Sequence, residues 1–303
     1  MLYSKKCANI HANMLTHKTH HQKLITIIFW LVFIVVASIS AYNLNTYRIE
    51  QFANIDAAFT KTLNNINLQS ELSAKAARKK QPVYITLPGA KQIRATVADY
   101  SITSNIWTLV NKNNSIPISY VPDGLVIPSV TTQTNKSDSE RSVRSDIETP
   151  LINMFTAASD AGYQLMISSG YRSAAVQKSI LDNAINSVGL AAANQSIALP
   201  GQSEHQTGLA TDISTVSRNC YFDTCFGDTS DGQWLVNNSY KYGFILRYPS
   251  GKESTTGYQY EPWHFRYVGI DLATALHDSG LTLDEAWPYL QTADDTLRTN
   301  DAI

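Results

Sequence analysis

Apolar residues recur in different rhythms along the chain, and each rhythm predicts a different element. From Leu24 to Tyr47 no charged residue occurs, and LITIIFWLVFIVVASISAY (24–42) is apolar on every side. Nineteen residues in a helix reach roughly 28 Å, close to the hydrocarbon thickness of a bilayer. A core helix would keep a polar stripe instead. Next, Ile49, Phe52, Ile55, Phe59, Leu63 and Ile66 recur every three or four positions among polar residues, which predicts a helical stalk. Asn64, Asn65 and Asn67 weaken a coiled-coil reading, and Pro82 stops the helix.

Between 83 and 130 the rhythm shortens. VYITL, IRATV, WTLVN and ISYVP are β-rich pieces separated by LPGAK, NKNNS and PDG turns. TTQTNKSDSERSVRSD (131–146) has no apolar period and reads as a loop or linker. Leu151, Phe155 and Ala158 then share one face of a predicted helix that ends at Gly162. QLMISSGYR is a strand running into a turn, SAAVQKSILDNAINSV and LAAANQSIAL are helical, and GLATDIS, GFILRYP and HFRYVGI are strand-like. Helices first and strands later predict an α+β fold with helices packed on an antiparallel sheet. The expected organisation is a tail (1–23), a transmembrane anchor (24–42), a stalk (43–81), a β-rich lead-in (82–130), the linker (131–146), a main domain (147–290) and a second tail (291–303).

Composition narrows the setting. The 303 residues are 44% hydrophobic and 16% charged, as in a globular protein. Lys5, Lys6, Lys18 and Lys23 precede the apolar run without an acid, leaving twenty basic against 25 acidic residues in all that follows. No basic face stands out there, so a nucleic-acid partner is not expected. Lysines before the apolar run put the N-terminus in the cytoplasm and the body outside. Ser38, Ser40 and Ala41 keep a cleaved signal peptide as the rival, in which case the body is secreted. In either case Cys220 and Cys225, in NCYFDTCFG, face an oxidising exterior. There they form a small-loop disulfide or remain two buried thiols.

SEHQTGLATD (203–212) sets His205 seven positions before Asp212, both good zinc ligands. His11, His17, His20 and His21 lie on the wrong side of the membrane, and His277 has no acid cluster around it. His264, in YEPWHFRYVG, is the remaining candidate, with Glu261 three residues before it. Two imidazoles and one carboxylate leave a zinc site at +1, still acidic enough to polarise a carbonyl and to lower the pKa of a water. Glu261 would take that water's proton, and Arg172, in the SSGYRS turn, would meet an oxyanion or a substrate carboxylate. The ordinary alternative for each residue alone is a buried histidine bonded to an aspartate. Taken together, the residues suggest a zinc hydrolase and name no substrate.

SGYRSxxxQ, PGQSEHQTGLATD and GFILRYPxGKExxTGYQYEPWHFRYVG resemble the VanY-type D-alanyl-D-alanine carboxypeptidases, which share a zinc fold with VanX-type dipeptidases and Hedgehog domains. The resemblance covers roughly residues 107–275 and rests on S-x-H-x6-D followed by E-x-W-H. It implies one Zn²⁺ on His205, Asp212 and His264, with Glu261 as catalytic base. Arg172, Gln177 and Ser203 would be substrate contacts. The implied reaction is removal of the C-terminal D-alanine from peptidoglycan stem peptides outside a bacterial, Gram-positive membrane. D,D- and L,D-trimming both remain open, with TGLATD and EPWHFRYVG closer to the LdcB-like L,D-trimming members. A non-catalytic zinc module that binds wall peptides or a protein is the rival from another class. The CYFDTC stretch departs from the family pattern and would shape or brace a substrate-side loop. Nothing in the sequence speaks to oligomeric state.

Overall fold

The computed structural model describes residues 3–79, 82–95 and 106–302. The chain divides into two compact units, Met1–Ala77 and Arg78–Ile303. The first is one helix, α1 (Tyr3–Lys79). It contains a stretch long and apolar enough to cross a membrane, and its described apolar side chains, Leu24 to Leu72, are exposed.

The second unit begins with an antiparallel hairpin, β1 (Val83–Ile85) and β2 (Ile93–Ala95). The last two residues of IRATV lie outside the described residues. Two short strands follow, β3 (Leu125–Val126) and β4 (Val143–Arg144), with a one-turn helix α2 (Asp138–Arg141) between them. Then come α3 (Glu148–Asp160), β5 (Leu165–Ser169), α4 (Ala174–Val188), α5 (Leu190–Ser196) and β6 (Ala210–Thr215). The chain continues through α6 (Ser230–Asn238), β7 (Phe244–Leu246), α7 (Glu253–Thr256), β8 (His264–Tyr267), α8 (Ile270–Ser279) and α9 (Leu283–Ala302).

The sheet runs β5-β6-β8-β7 with every neighbour antiparallel. Side chains alternate across it, so each strand serves two layers. Ile167, Ile213, Phe244 and Phe265 pack with Leu151, Met154, Phe155 and Ala158 of α3 in one core. Ile245 points the other way, into a second core with α8, α9 and the hairpin residues Ile85, Leu87 and Ile93. Burying each such side chain stabilises the fold by about 1.5–3 kcal/mol. The hairpin segment is therefore packing for the body.

Several expectations need correction. WTLVN and ISYVP are not strands. Arg266 donates to the Ile106 and Thr108 carbonyls, and the Trp107 indole donates to Val268 O. With its carbonyls taken by side chains, that backbone does not join a ladder. The 131–146 stretch is a loop that carries α2 and packs on the body. Thr132 bridges Ile167, and Ser137 and Glu140 close a capping box on α2. Residues 291–302 continue α9, with Ala293 buried in the second core, so they are no loose tail.

Candidate functional site

The sheet register brings the site together. On β6, Asp212 pairs directly with His264 on β8 and with Ser169 at the end of β5. Ile213 and Phe265, the next residues on each strand, face the α3 core, so Asp212 and His264 point to the opposite face. His205 comes from a 3-10 turn, Glu204–Thr207, just before β6. That turn ends at Gly208, whose φ of +70° is a left-handed conformation. A Cβ there would also press to 3.2 Å from the Arg144 backbone nitrogen. Gly170 is tighter still. A Cβ would lie 2.3 Å from Ser142 O, so only glycine lets the SGYR turn nest against that loop.

Donor atoms of His205, Asp212 and His264 all lie within 4.8 Å of one another, and all three residues are buried. His205 Nε2 is 3.3 Å from Asp212 Oδ2, and His264 Nδ1 is 3.2 Å from Asp212 Oδ1. The hydrogen-bond partners set the tautomers. His205 Nδ1 lies 2.7 Å from Gly170 O, which can only accept, so Nδ1 carries the hydrogen and Nε2 turns a lone pair to the cluster. His264 Nε2 is buried without a hydrogen-bond partner and lies 3.5 Å from Glu204 Oε2, itself unsatisfied. A hydrogen on Nε2 satisfies both and leaves the Nδ1 lone pair for the cluster. Two imidazole nitrogens and a carboxylate, each imidazole backed by an acceptor, match the chemistry of a zinc or similar cation site. The residues fit the ion.

Glu204 is held in turn. Its Oε1 accepts from Arg247 Nε and Arg266 Nη1, both at 2.8 Å, and all three side chains are fully buried. Burial alone would raise the Glu204 pKa, but the two guanidiniums hold it well below the carboxylate range. Arg247 also donates to Asp284 at 2.5 Å.

Glu261 Oε2 sits 3.9 Å from His264 Nδ1. Burial pushes its carboxyl up to about 7, with the Asp212 and Glu204 charges adding to the rise against His264 and Arg172. Burial opposes charge on His264, yet the Asp212 and Glu204 carboxylates outweigh it and raise that imidazole to about 9. Burial and Arg172 lower the pKa of His205. Asp212 is held down against its burial, mainly by His205. Arg172 is fixed by Ser169 Oγ and Gln177 Oε1, each at 3.0 Å, and lies 3.5 Å from Asp212 Oδ2. Gln177 donates onward to Ala198 O at 2.8 Å.

These residues line one cleft of about 390 Å³, with Ser203 among them. The structure thus gathers His205, Asp212, His264, Glu261, Arg172, Gln177 and Ser203, while Cys220 and Cys225 are joined by a disulfide beyond the end of β6. Gln177 reaches the site chiefly through Arg172. Sequence reading missed Glu204, Arg247 and Arg266. A usable signal was present, since GFILRYP and HFRYVG each place an arginine inside an otherwise apolar strand. It also missed cleft residues Lys136, Phe222, Tyr248 and Tyr258, which distant segments supply.

Comparison with known proteins finds relatives of this chain. Residues 140–270 match the VanY family, described as D-alanyl-D-alanine carboxypeptidase. The Bacillus subtilis (strain 168) protein YodJ is 48% identical over 181 residues, which are 60% of this chain; the chain spans 66% of YodJ's length. The Enterococcus gallinarum bifunctional D-Ala-D-Ala dipeptidase and D-Ala-D-Ala carboxypeptidase VanXYC is 32% identical over 61% of this chain and 95% of its own. Among solved structures, the LdcB LD-carboxypeptidase superposes with a TM-score of 0.58 and 46% identity, over 61% of this chain and 86% of that one. With nearly all of one such relative covered and the helix-on-antiparallel-sheet fold shared, this chain belongs to the D-alanyl-D-alanine carboxypeptidase (VanY) family.

Proposed function

We propose that the chain is a membrane-anchored, extracytoplasmic zinc carboxypeptidase that removes the C-terminal D-alanine from peptidoglycan stem peptides. The observation that carries this reading is the convergence of His205, Asp212 and His264 in a cleft that also holds the buried carboxyl of Glu261. His205 Nε2, the Asp212 carboxylate and His264 Nδ1 would hold one Zn²⁺. Zinc bound there supplies Lewis acidity and a water of near-neutral pKa. Glu261, raised to about 7 by burial, accepts a proton and returns it to the leaving amine; a pKa near the working pH suits both transfers. Arg172, braced by Ser169 and Gln177, binds the substrate's terminal carboxylate, and Ser203 offers a hydroxyl to the same ligand. A module that only bound wall peptides would have no use for a carboxyl of raised pKa beside the cation site.

Between the two peptide substrates, likeness to the LdcB LD-carboxypeptidase favours the tetrapeptide. Residues 24–42 are the anchor, 1–23 face the cytoplasm and the stalk carries the body outward, in keeping with four lysines before the apolar run. Relatives from Bacillus subtilis and Enterococcus gallinarum favour a Gram-positive wall.

The test incubates the full chain in detergent with muropeptides ending in a tetrapeptide or a pentapeptide, with a chelator and with zinc added back. Chelator-sensitive D-alanine release from the tetrapeptide is the expected result, and release from the pentapeptide alone would assign D,D-specificity. No release from either by zinc-loaded protein would refute the enzyme reading.

A further inference from the structure

The Cys220–Cys225 bridge closes a six-residue loop that the proposed chemistry does not use. The backbone of this loop is unusual. Arg218, Cys220 and Phe222 have φ of 58°, 53° and 51°, a left-handed conformation that non-glycine residues rarely adopt. Such a conformation persists only where its surroundings impose it. Two ties are present: the covalent bridge, and a hydrogen bond from the Tyr221 hydroxyl to Gln133 Oε1 at 2.5 Å. A third contact sets the Phe222 ring edge-on to Trp263, with centroids 5.8 Å apart. Phe222 and Trp263 both line the catalytic cleft.

Depth in the cleft assigns the partner. The Arg172 and Glu261 side chains are only 16% and 14% exposed, whereas Phe222 is 39% exposed. With the terminal carboxylate gripped by the more buried Arg172, Phe222 is one of the exposed lining residues that the emerging peptide meets. Lys136, paired with Glu140 at 3.0 Å, lines the same cleft, so a cationic and an apolar surface are both offered to the emerging chain.

Resting on the carboxypeptidase reading, we propose that Phe222 is a specificity-determining residue for stem peptides. The bridged loop holds its ring where a long aliphatic side chain upstream of the scissile bond packs against it. An aromatic face suits the methylenes of a lysine-like side chain, while a methyl group at that position is too short to reach it. The positive φ at Cys220 and Phe222 aims the ring, and the bridge keeps the loop from relaxing away.

The experiment compares two stem tetrapeptides that differ only in lysine or alanine at the third residue. The full-length, zinc-loaded chain in detergent is assayed for kcat and KM, and calorimetry gives the affinity of each peptide for the zinc-loaded Glu261→Gln variant. Wild type should prefer lysine through KM, and Phe222→Ala should cut that preference roughly tenfold by raising KM for the lysine peptide. Phe222→Leu should restore most of the preference. Cys220→Ser/Cys225→Ser should cut it as Phe222→Ala does, with zinc content intact. An unchanged preference in Phe222→Ala, on an enzyme that turns over, overturns this inference and leaves the carboxypeptidase reading standing. An unchanged preference in the double serine variant overturns the role of the bridge. Wild type that cleaves neither tetrapeptide refutes L,D-trimming, the pentapeptide assay decides on the carboxypeptidase reading, and the calorimetric preference then decides on Phe222 by itself.

Discussion

Glu204→Ala offers the most demanding test of how the site is built. Among the described residues, the substitution removes the only carboxylate that Arg266 contacts and one of two on Arg247. Arg247 keeps Asp284, but Arg266 is left with the carbonyls of Ile106, Thr108 and Tyr267. Removing one partner from a buried ion pair costs about 3–5 kcal/mol, because a desolvated charge is stranded. For a domain of this size each kcal/mol lowers Tm by roughly 2–4 °C, so a fall of roughly 6–20 °C is expected. A second effect is separable. His264 Nε2 loses the acceptor 3.5 Å away, so its tautomer is no longer imposed, and metal affinity should fall by about 10–100-fold. Glu204→Gln keeps an acceptor for the guanidiniums and should lose less stability than alanine. The assay is thermal unfolding of chelated protein, followed by zinc competition against a chromophoric chelator. A Glu204→Ala protein within about 1 kcal/mol of wild type and with unchanged zinc affinity would refute the proposed coupling of charge network and cation site.

Three further expectations concern the cluster itself. Glu261→Ala should keep its zinc and lose turnover by at least about 10²-fold, whereas His264→Ala should lose both, as metal analysis and muropeptide assays would reveal; normal activity in zinc-replete Glu261→Ala would remove that residue from the mechanism. Zinc must displace the proton that His264 holds up to about pH 9, so loading at pH 7.5 should release about one proton, and affinity should climb as pH rises toward that value; a pH-independent affinity would contradict it. In chelated protein the raised His264 pKa adds stability that is complete below its ordinary 6.5 and fades as pH rises through about 9. Unfolding curves across that window should show this decline without zinc, and its persistence in zinc-loaded protein would place the effect elsewhere.

Much of this protein was legible in one dimension. The apolar run at 24–42 needs no partner to be recognised, because length and the absence of charge are local properties. His205 and Asp212 share one short segment, and Glu261 and His264 share another, so their residue types and spacing could be read directly. What joins the two segments is register. Asp212 faces His264 because β6 and β8 pair residue against residue, and a shift of one position would turn one of the two toward the α3 core and part them.

Other features depended on contacts across long stretches of chain. WTLVN carries strand-forming residues, yet its Thr108 carbonyl and that of the preceding Ile106 serve the Arg266 guanidinium from 158 and 160 positions away. The polar stretch 131–146 has no apolar period, yet it packs so closely that Gly170 has no room for a Cβ. Glu204 reads as an ordinary surface acid until Arg247 and Arg266 close on it from β7's end and from β8. Phe222 lines the cleft from a loop that carries a bridge and a tyrosine hydrogen bond to Gln133. Residue type and spacing alone picked out the two histidines, the aspartate and the neighbouring carboxyl. Strand register and buried charge decided where those groups sit, because both depend on partners the local sequence cannot name.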